Sequence, residues 1–257
     1  MGHIRLGVLP QTRKWREVVD LLQADAPVAD VASAATLAAK GALLSAAKDP
    51  QFLSIVELLA ALPQEARGPA FLRAMAERGI TQIDTVPALL SGIADSVDED
   101  CLRSGHRSDL GEIALSSLLT TLSDHFDRSL PGLFDPTPAE IRTALGRLAS
   151  GEKFGAFARG FFARVVDQTL QYYLSRELSN HVGPGQRFAS DADRQSFDRA
   201  LFQHSYEAAR IVESYAGGWY GKAVWQGEGL TRDGIRKFTA FSMTKLRGEL
   251  ERRDDAA

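Results

Sequence analysis

Phe154-Gly-Ala-Phe-Ala-Arg-Gly-Phe-Phe-Ala-Arg-Val-Val-Asp-Gln-Thr-Leu-Gln-Tyr-Tyr-Leu-Ser-Arg-Glu-Leu-Ser-Asn-His-Val182 is the stretch whose reading decides the fold class. At about 100° per residue, Phe154, Phe161, Phe162, Val165, Thr169 and Tyr173 make one broad apolar face, so the spacing predicts a long helix. Continuing the same count puts Arg176 and Asn180 in the middle of that face. An arginine buried there needs partners for its five N–H donors, and a protein group, water or a ligand could supply them.

The helical rhythm continues on the C-terminal side. Phe197, Leu201, Ala208, Val212 and Tyr215 recur at three and four, as do Ile235, Phe238, Phe241 (or Ser242) and Leu246. Thr137-Pro-Ala-Glu140 is a capping box with proline at the first helical position, and Ser190-Asp-Ala-Asp193 and Thr231-Arg-Asp233 also read as helix openings. Gly79, Gly132, Gly183-Pro-Gly185 and Gly217-Gly218 read as stops. Only His3 to Leu9 alternates like a strand, through Ile4, Leu6 and Val8, and a lone strand has nothing to pair with. The expected fold is therefore all-α, an irregular array of roughly eight to ten helices with a short extended N-terminal arm.

Aromatic residues divide the chain. Only four of the 21 precede residue 131: Trp15, Phe52, Phe71 and Phe126. Residues 1–130 are instead rich in alanine and leucine, which predicts short antiparallel helices; residues 131–257 form an aromatic-rich half. The helix-breaking Leu130-Pro-Gly-Leu-Phe-Asp-Pro-Thr-Pro138 marks the boundary, with the two halves packed as one continuous domain.

Composition excludes several classes. The longest uncharged run, Ile113 to Ser123, is 11 residues, far short of a membrane span. A single cysteine, Cys101, excludes an internal disulfide and any multi-cysteine zinc site, and a reducing cytoplasm is the simplest setting. The net charge of −3 is uneven, with ten acidic and three basic residues between Asp84 and Asp135. That acidic middle is a solvated surface or a docking face for a basic partner, and no basic stripe for duplex nucleic acid accompanies it.

Two segments are the main candidates for function. In Ser175-Arg-Glu-Leu-Ser-Asn-His-Val-Gly183, Arg176/Asn180 and Glu177/His181 are pairs four apart that can touch along a helix. They can brace the helix end, bind a ligand or act as an acid/base couple, but the two ligands that Glu177 and His181 could supply are not a metal site. In Tyr215-Ala-Gly-Gly-Trp-Tyr-Gly-Lys222, glycines flank Trp219 and Tyr220 ahead of Lys222. This is either a corner plugged by aromatics or a loop that binds through them, since glycine admits close approach of another chain or a ligand. His204 falls between Leu201 and Ala208 on an apolar face and gains interest only near Arg176 or Glu177.

Gly-His-Ile-Arg-Leu-Gly-Val-Leu-Pro10, Leu-Ser-Arg-Glu-Leu-Ser-Asn-His-Val-Gly183 and Ala-Gly-Gly-Trp-Tyr-Gly-Lys222 together resemble an uncharacterised family of bacterial all-helical proteins, over nearly the full chain. The resemblance implies a link to multi-gene bacterial systems such as anti-phage defence, and it implies no activity and no site residue.

The expected function is a cytoplasmic, non-enzymatic interaction subunit or adaptor with a protein partner and neither cofactor nor metal. One alternative is a module for a small anionic ligand or nucleotide, with Arg176 or Lys222 taking the anion and Trp219 or Tyr220 stacking. Another is an enzyme with Glu177, His181 or His204 as acid or base. A cleft joining Arg176, Glu177, Asn180 and His204 to Trp219 and Tyr220 would separate binding or catalysis from a purely packed role.

Overall fold

The computed structural model of the chain describes residues 3–6, 12–130, 132, 135–225 and 229–252. Among them twelve α-helices form: α1 (Arg13–Gln23), α2 (Val28–Ala38), α3 (Lys40–Ser45), α4 (Pro50–Arg67), α5 (Phe71–Glu77), α6 (Val86–Ser104), α7 (Asp109–Ser129), α8 (Pro138–Arg147), α9 (Gly151–Leu178), α10 (Asp191–Ala208), α11 (Arg210–Trp225) and α12 (Arg232–Leu250). The number exceeds the expected eight to ten because single-residue bends at Ala39 and Ala209 split periodic runs. A one-residue break barely disturbs a three-and-four apolar rhythm, so the pattern does not report it. The helices before residue 130 are not uniformly short either: α4, α6 and α7 have 18, 19 and 21 residues.

Helix starts form where hydroxyls and acids stand. Thr137 with Glu140 and Ser190 with Asp193 make reciprocal capping boxes, and the Thr231 hydroxyl accepts from the Gly234 amide. In α12 the inward position falls to Ser242, which is buried, while Phe241 is 47% exposed. The N-terminal arm does find a partner. Ile4 donates to the Arg107 carbonyl at 2.8 Å and accepts from the Asp109 amide at 2.9 Å. The Leu6 amide donates to the Asp109 carboxylate. Val8 lies outside the described residues.

The core runs without interruption from Val18 in α1 to Leu250 in α12, through both halves of the chain. Its axis is α9, which is buried on nearly every side between Phe154 and Leu170 and packs against α7, α10 and α11. The tightest of these contacts is with α11. A Cβ on Gly217 would lie 2.4 Å from the Gly151 carbonyl oxygen, and one on Gly155 would lie 2.9 Å from that of Glu213. Only glycine permits backbones this close. Gly217-Gly218 therefore does not stop a helix, contrary to the sequence reading; it lies inside α11, where Gly217 forms a notch for the start of α9. No single helix among the described residues is long and apolar enough to cross a membrane.

Two expected outcomes follow from α9. Gly217→Ala should cost about 2–3 kcal/mol, because a backbone carbonyl must move to admit the methyl. Gly218→Ala, whose Cβ would meet nothing within 4 Å, should be neutral or stabilise by up to about 1 kcal/mol. Equal melting temperatures for the two variants would contradict this packing.

Asp167 is the one buried carboxylate of α9. Burial pushes it up to about 6 from an ordinary 3.8; Gln171 donates to both its oxygens, opposing that rise, and nearby Asp198 adds to it. The folded chain thus holds this proton more tightly than the unfolded chain. Its contribution is greatest below about pH 4 and is lost as the pH rises towards about 6. Asp167→Asn should raise stability at pH 7 by on the order of 2 kcal/mol and flatten the profile across that window, read by thermal melts at several pH values.

Candidate functional site

The structure distributes the residues singled out by the sequence among different roles. Arg176 and Asn180 are both exposed. The core covers only one side of the last turns of α9, the side that carries Leu174, Leu178 and His181. This stripe is rotated by one residue from the Tyr173–Arg176–Asn180 line, so the expectation that Arg176 and Asn180 sit in the apolar face is corrected. Glu177 and His181 do meet, with Glu177 Oε1 3.3 Å from His181 Nε2. His181 is buried, and its carbonyl accepts from the Phe188 amide at 2.9 Å, so the pair sits at the base of the turn leading to α10. No group of three or more potential metal ligands forms among the described residues.

The arginine that is buried and satisfied by the protein lies eleven residues beyond Arg176. The Arg187 side chain is 7% exposed. It donates to the carbonyls of Leu21 and Ala26 at 3.2 and 2.5 Å, which closes the C-terminal end of α1. Its guanidinium also faces the Phe197 ring at 5.2 Å.

Trp219 and Tyr220 stand on a regular helix and pack inward. Tyr220 is fully buried and stacks on Phe154 with centroids 3.9 Å apart. Trp219 is half-buried and stacks on Phe238 at 4.0 Å. One face of each ring is spent on the core, and Lys222 is exposed. These aromatics therefore do not form a recognition loop. His204 is half-buried on α10. The principal clefts among the described residues are lined by none of Arg176, Glu177, Asn180, His204, Trp219 and Tyr220. Burial, reinforced by Glu112, raises the Cys101 thiol above its ordinary range, which makes it a weak nucleophile.

A different group of cations and aromatics comes together where four helices meet. A cleft of about 820 Å³ lies between α7, the end of α8, α9 and α10. Arg128 enters from α7, Arg147 is the last residue of α8, and Lys153 stands in the first turn of α9. All three are exposed, and none has an ion-pair partner among the described residues. Arg164 is the fourth cation; it is fixed by Asp124, the only carboxylate among the described residues that line the cleft, and by the Gly160 carbonyl.

The opposite wall is aromatic. Phe202 and Tyr206, four apart on α10, face the cleft with centroids 6.1 Å apart. Arg159 fixes this wall by donating to the Tyr206 carbonyl and to Glu213, with its guanidinium 4.0 Å from the Tyr206 ring centroid. On the floor, His125 Nε2 lies 2.9 Å from the Ala144 carbonyl, so that nitrogen carries the proton. Burial first, then the charges of Arg128, Lys153 and Arg147, hold His125 below its ordinary range. The cleft thus has a local excess of positive charge in a chain that is negative overall.

Sequence reasoning missed this group because its members come from helices far apart in the chain. One local signal was available. Phe197, Leu201 and Ser205 face the core from α10, so Phe202 and Tyr206 fall one residue off that face, where large aromatics need another explanation.

Arg176→Ala and Lys222→Ala should each leave the melting temperature within about 1 °C of the parent, since both side chains stand in water. Arg187→Ala should cost about 3 kcal/mol by stranding the carbonyls it closes. A destabilised Arg176→Ala would restore the brace expected from the sequence. No family model matches the chain, and neither a curated protein nor a solved structure does, so the reading of the cleft rests on its own geometry.

Proposed function

We propose that the chain is a binding module for a nucleotide, held in the cleft between α7, α8, α9 and α10. The observation that carries this reading is the joining of three cations, none ion-paired among the described residues, to an aromatic wall in one concavity. Guanidinium groups take phosphate oxygens through paired N–H donors, and Lys153 adds a mobile point charge. The rings of Phe202 and Tyr206 offer apolar surface to a base. Arg164, already neutralised by Asp124, shapes the floor rather than supplying a free charge. The role expected of Arg176 or Lys222 with Trp219 or Tyr220 passes in this reading to residues that the fold brings together. Cys101, the single cysteine, suits a reducing compartment, and we take the cytoplasm as the setting.

A second reading, an interaction subunit for a protein partner within a multi-gene bacterial assembly, draws on the surface of α6. Leu102 is 75% exposed there beside the exposed acids Glu99 and Asp100. The two readings concern different faces and are compatible.

ATP and inorganic tripolyphosphate are suitable probes. Both should bind more weakly as salt rises, with ATP the tighter because only it can use the aromatic wall. Arg147→Ala with Lys153→Ala should lower ATP affinity by tenfold or more, roughly 1.4 kcal/mol or above, while leaving the fold intact. A bound phosphate chain would also offset the cations that depress His125, so the histidine should titrate at higher pH in the complex, as followed by NMR. Unchanged ATP affinity in the double variant would refute the site.

A further inference from the structure

A separate cleft of about 480 Å³ lies between α4 and α6, lined also by Arg78 after α5 and by Arg232 at the start of α12. It shares no residue with the basic cleft. It exists because α6 packs chiefly on α7 and leaves a gap towards α4. Buried Leu58, Val97 and Cys101 give it an apolar base. Two of its cations are already matched: Arg78 donates to Glu65 at 2.6 Å, and Arg103 to Asp100 at 2.6 Å. Glu57 and Arg232 are left. Both are exposed and opposite in sign, and neither makes an ion pair among the described residues, with each other or with a third group. Ser96 is the second feature. The buried stripe of α6 runs Leu89, Ile93, Ser96, Val97, Cys101, so the serine takes a position that would suit an aliphatic side chain. It is 7% exposed and lines the cleft, and its hydroxyl has no hydrogen-bond partner among the described residues. Buried polar groups are ordinarily paired. Gln51, equally buried in the same cleft, also has a donor to spare. Its oxygen accepts from the Ser108 amide at 2.8 Å and its nitrogen donates to Glu112 at 3.1 Å, which leaves the second of its two N–H groups.

We infer that this cleft binds a small zwitterion, an α-amino acid or a very short peptide, with its ammonium at Glu57 and its carboxylate at Arg232. Two opposite charges that line one concavity without pairing call for a ligand that carries both. A simple anion would be matched at Arg232 and repelled by Glu57, and a simple cation would meet the reverse. The spare donors of Ser96 and Gln51 suit the carbonyl oxygen of a peptide bond or of a polar side chain. The apolar base takes the methylenes, and the Cys101 thiol, which burial keeps protonated, adds no charge to it. An apolar base with a few convergent polar groups is the usual make-up of a small-molecule site, and the volume falls in the range of about 300–1,000 Å³ that such sites span. The inference is independent of the nucleotide reading, because the two clefts have no residue in common.

The test is isothermal titration calorimetry with L-glutamine, Ala-Ala and Ala-Ala-Ala. The tightest of the three separates a free amino acid from a peptide. Its N-acetylated form, which lacks the ammonium, and its C-terminal amide, which lacks the carboxylate, should each bind about tenfold more weakly or worse. Glu57→Gln should weaken the zwitterion by about the same factor and leave the N-acetylated form unaffected, and Arg232→Gln should do likewise with the amide as the unaffected form. Both positions are exposed, so neither change should disturb folding. Ser96→Ala should weaken binding about threefold or more while the melting temperature holds or rises, since it removes a buried hydroxyl that lacks a partner. A serine that merely fills space would leave affinity unmoved. ATP binding, which belongs to the other cleft, should be the same in all three variants. The proposal is overturned if none of the three compounds binds at about 10 mM, if the capped forms bind as well as the zwitterion, or if Glu57→Gln and Arg232→Gln leave its affinity unchanged.

Discussion

The contact on which the rest of the molecule depends is the approach of two backbones, those of α9 and α11, at Gly151, Gly155 and Gly217. Helices normally lie about 8–10 Å apart because side chains hold them off. Without side chains at the contact, α11 sinks against the start of α9, and the rings on either side of it can interleave. Phe154 meets Tyr220 face to face, and Trp219 meets Phe238 in the same manner. The aromatic half of the chain is organised around this seam. It also fixes the first turn of α9, and with it Lys153.

The same constraint governs the basic cleft. Arg147 ends α8 and Lys153 follows the turn into α9, so the spacing between these cations is set by how α9 leaves that corner. Arg159 ties the middle of α9 to the α10–α11 bend through the Tyr206 carbonyl and Glu213. The wall bearing Phe202 and Tyr206 is thereby held to the helix that carries Lys153 and Arg164. Charges and rings sit on elements that the core already holds rigid, which favours a preformed site over one assembled on binding.

Much of the fold was legible in the sequence because it follows from local rules. Capping boxes at Thr137 and Ser190 need only four consecutive residues, and the inward stripe of α12 needs only its period. What was misread turned on the neighbours of a residue. A glycine pair looks the same whether it ends a helix or admits another helix, and Gly217 does the latter. Arg176 was projected along a straight stripe, but the buried side turns by one residue where the covering helices end. The candidate site was the least legible part. Its cations lie on α7, α8 and α9 and its rings on α10, and no spacing along the chain relates them.

The N-terminal arm has a consequence for the order in which the molecule assembles. His3 and Asp109 are 106 positions apart, and Ile4 pairs with the backbone at the corner between α6 and α7. Helices can form from contacts within a few residues, whereas this junction requires its corner to exist first and then closes a very long loop. The arm is therefore among the last pieces to dock and among the first to detach. Detachment would uncover the Asp109 carboxylate at the head of α7, the helix that carries Arg128 at its other end.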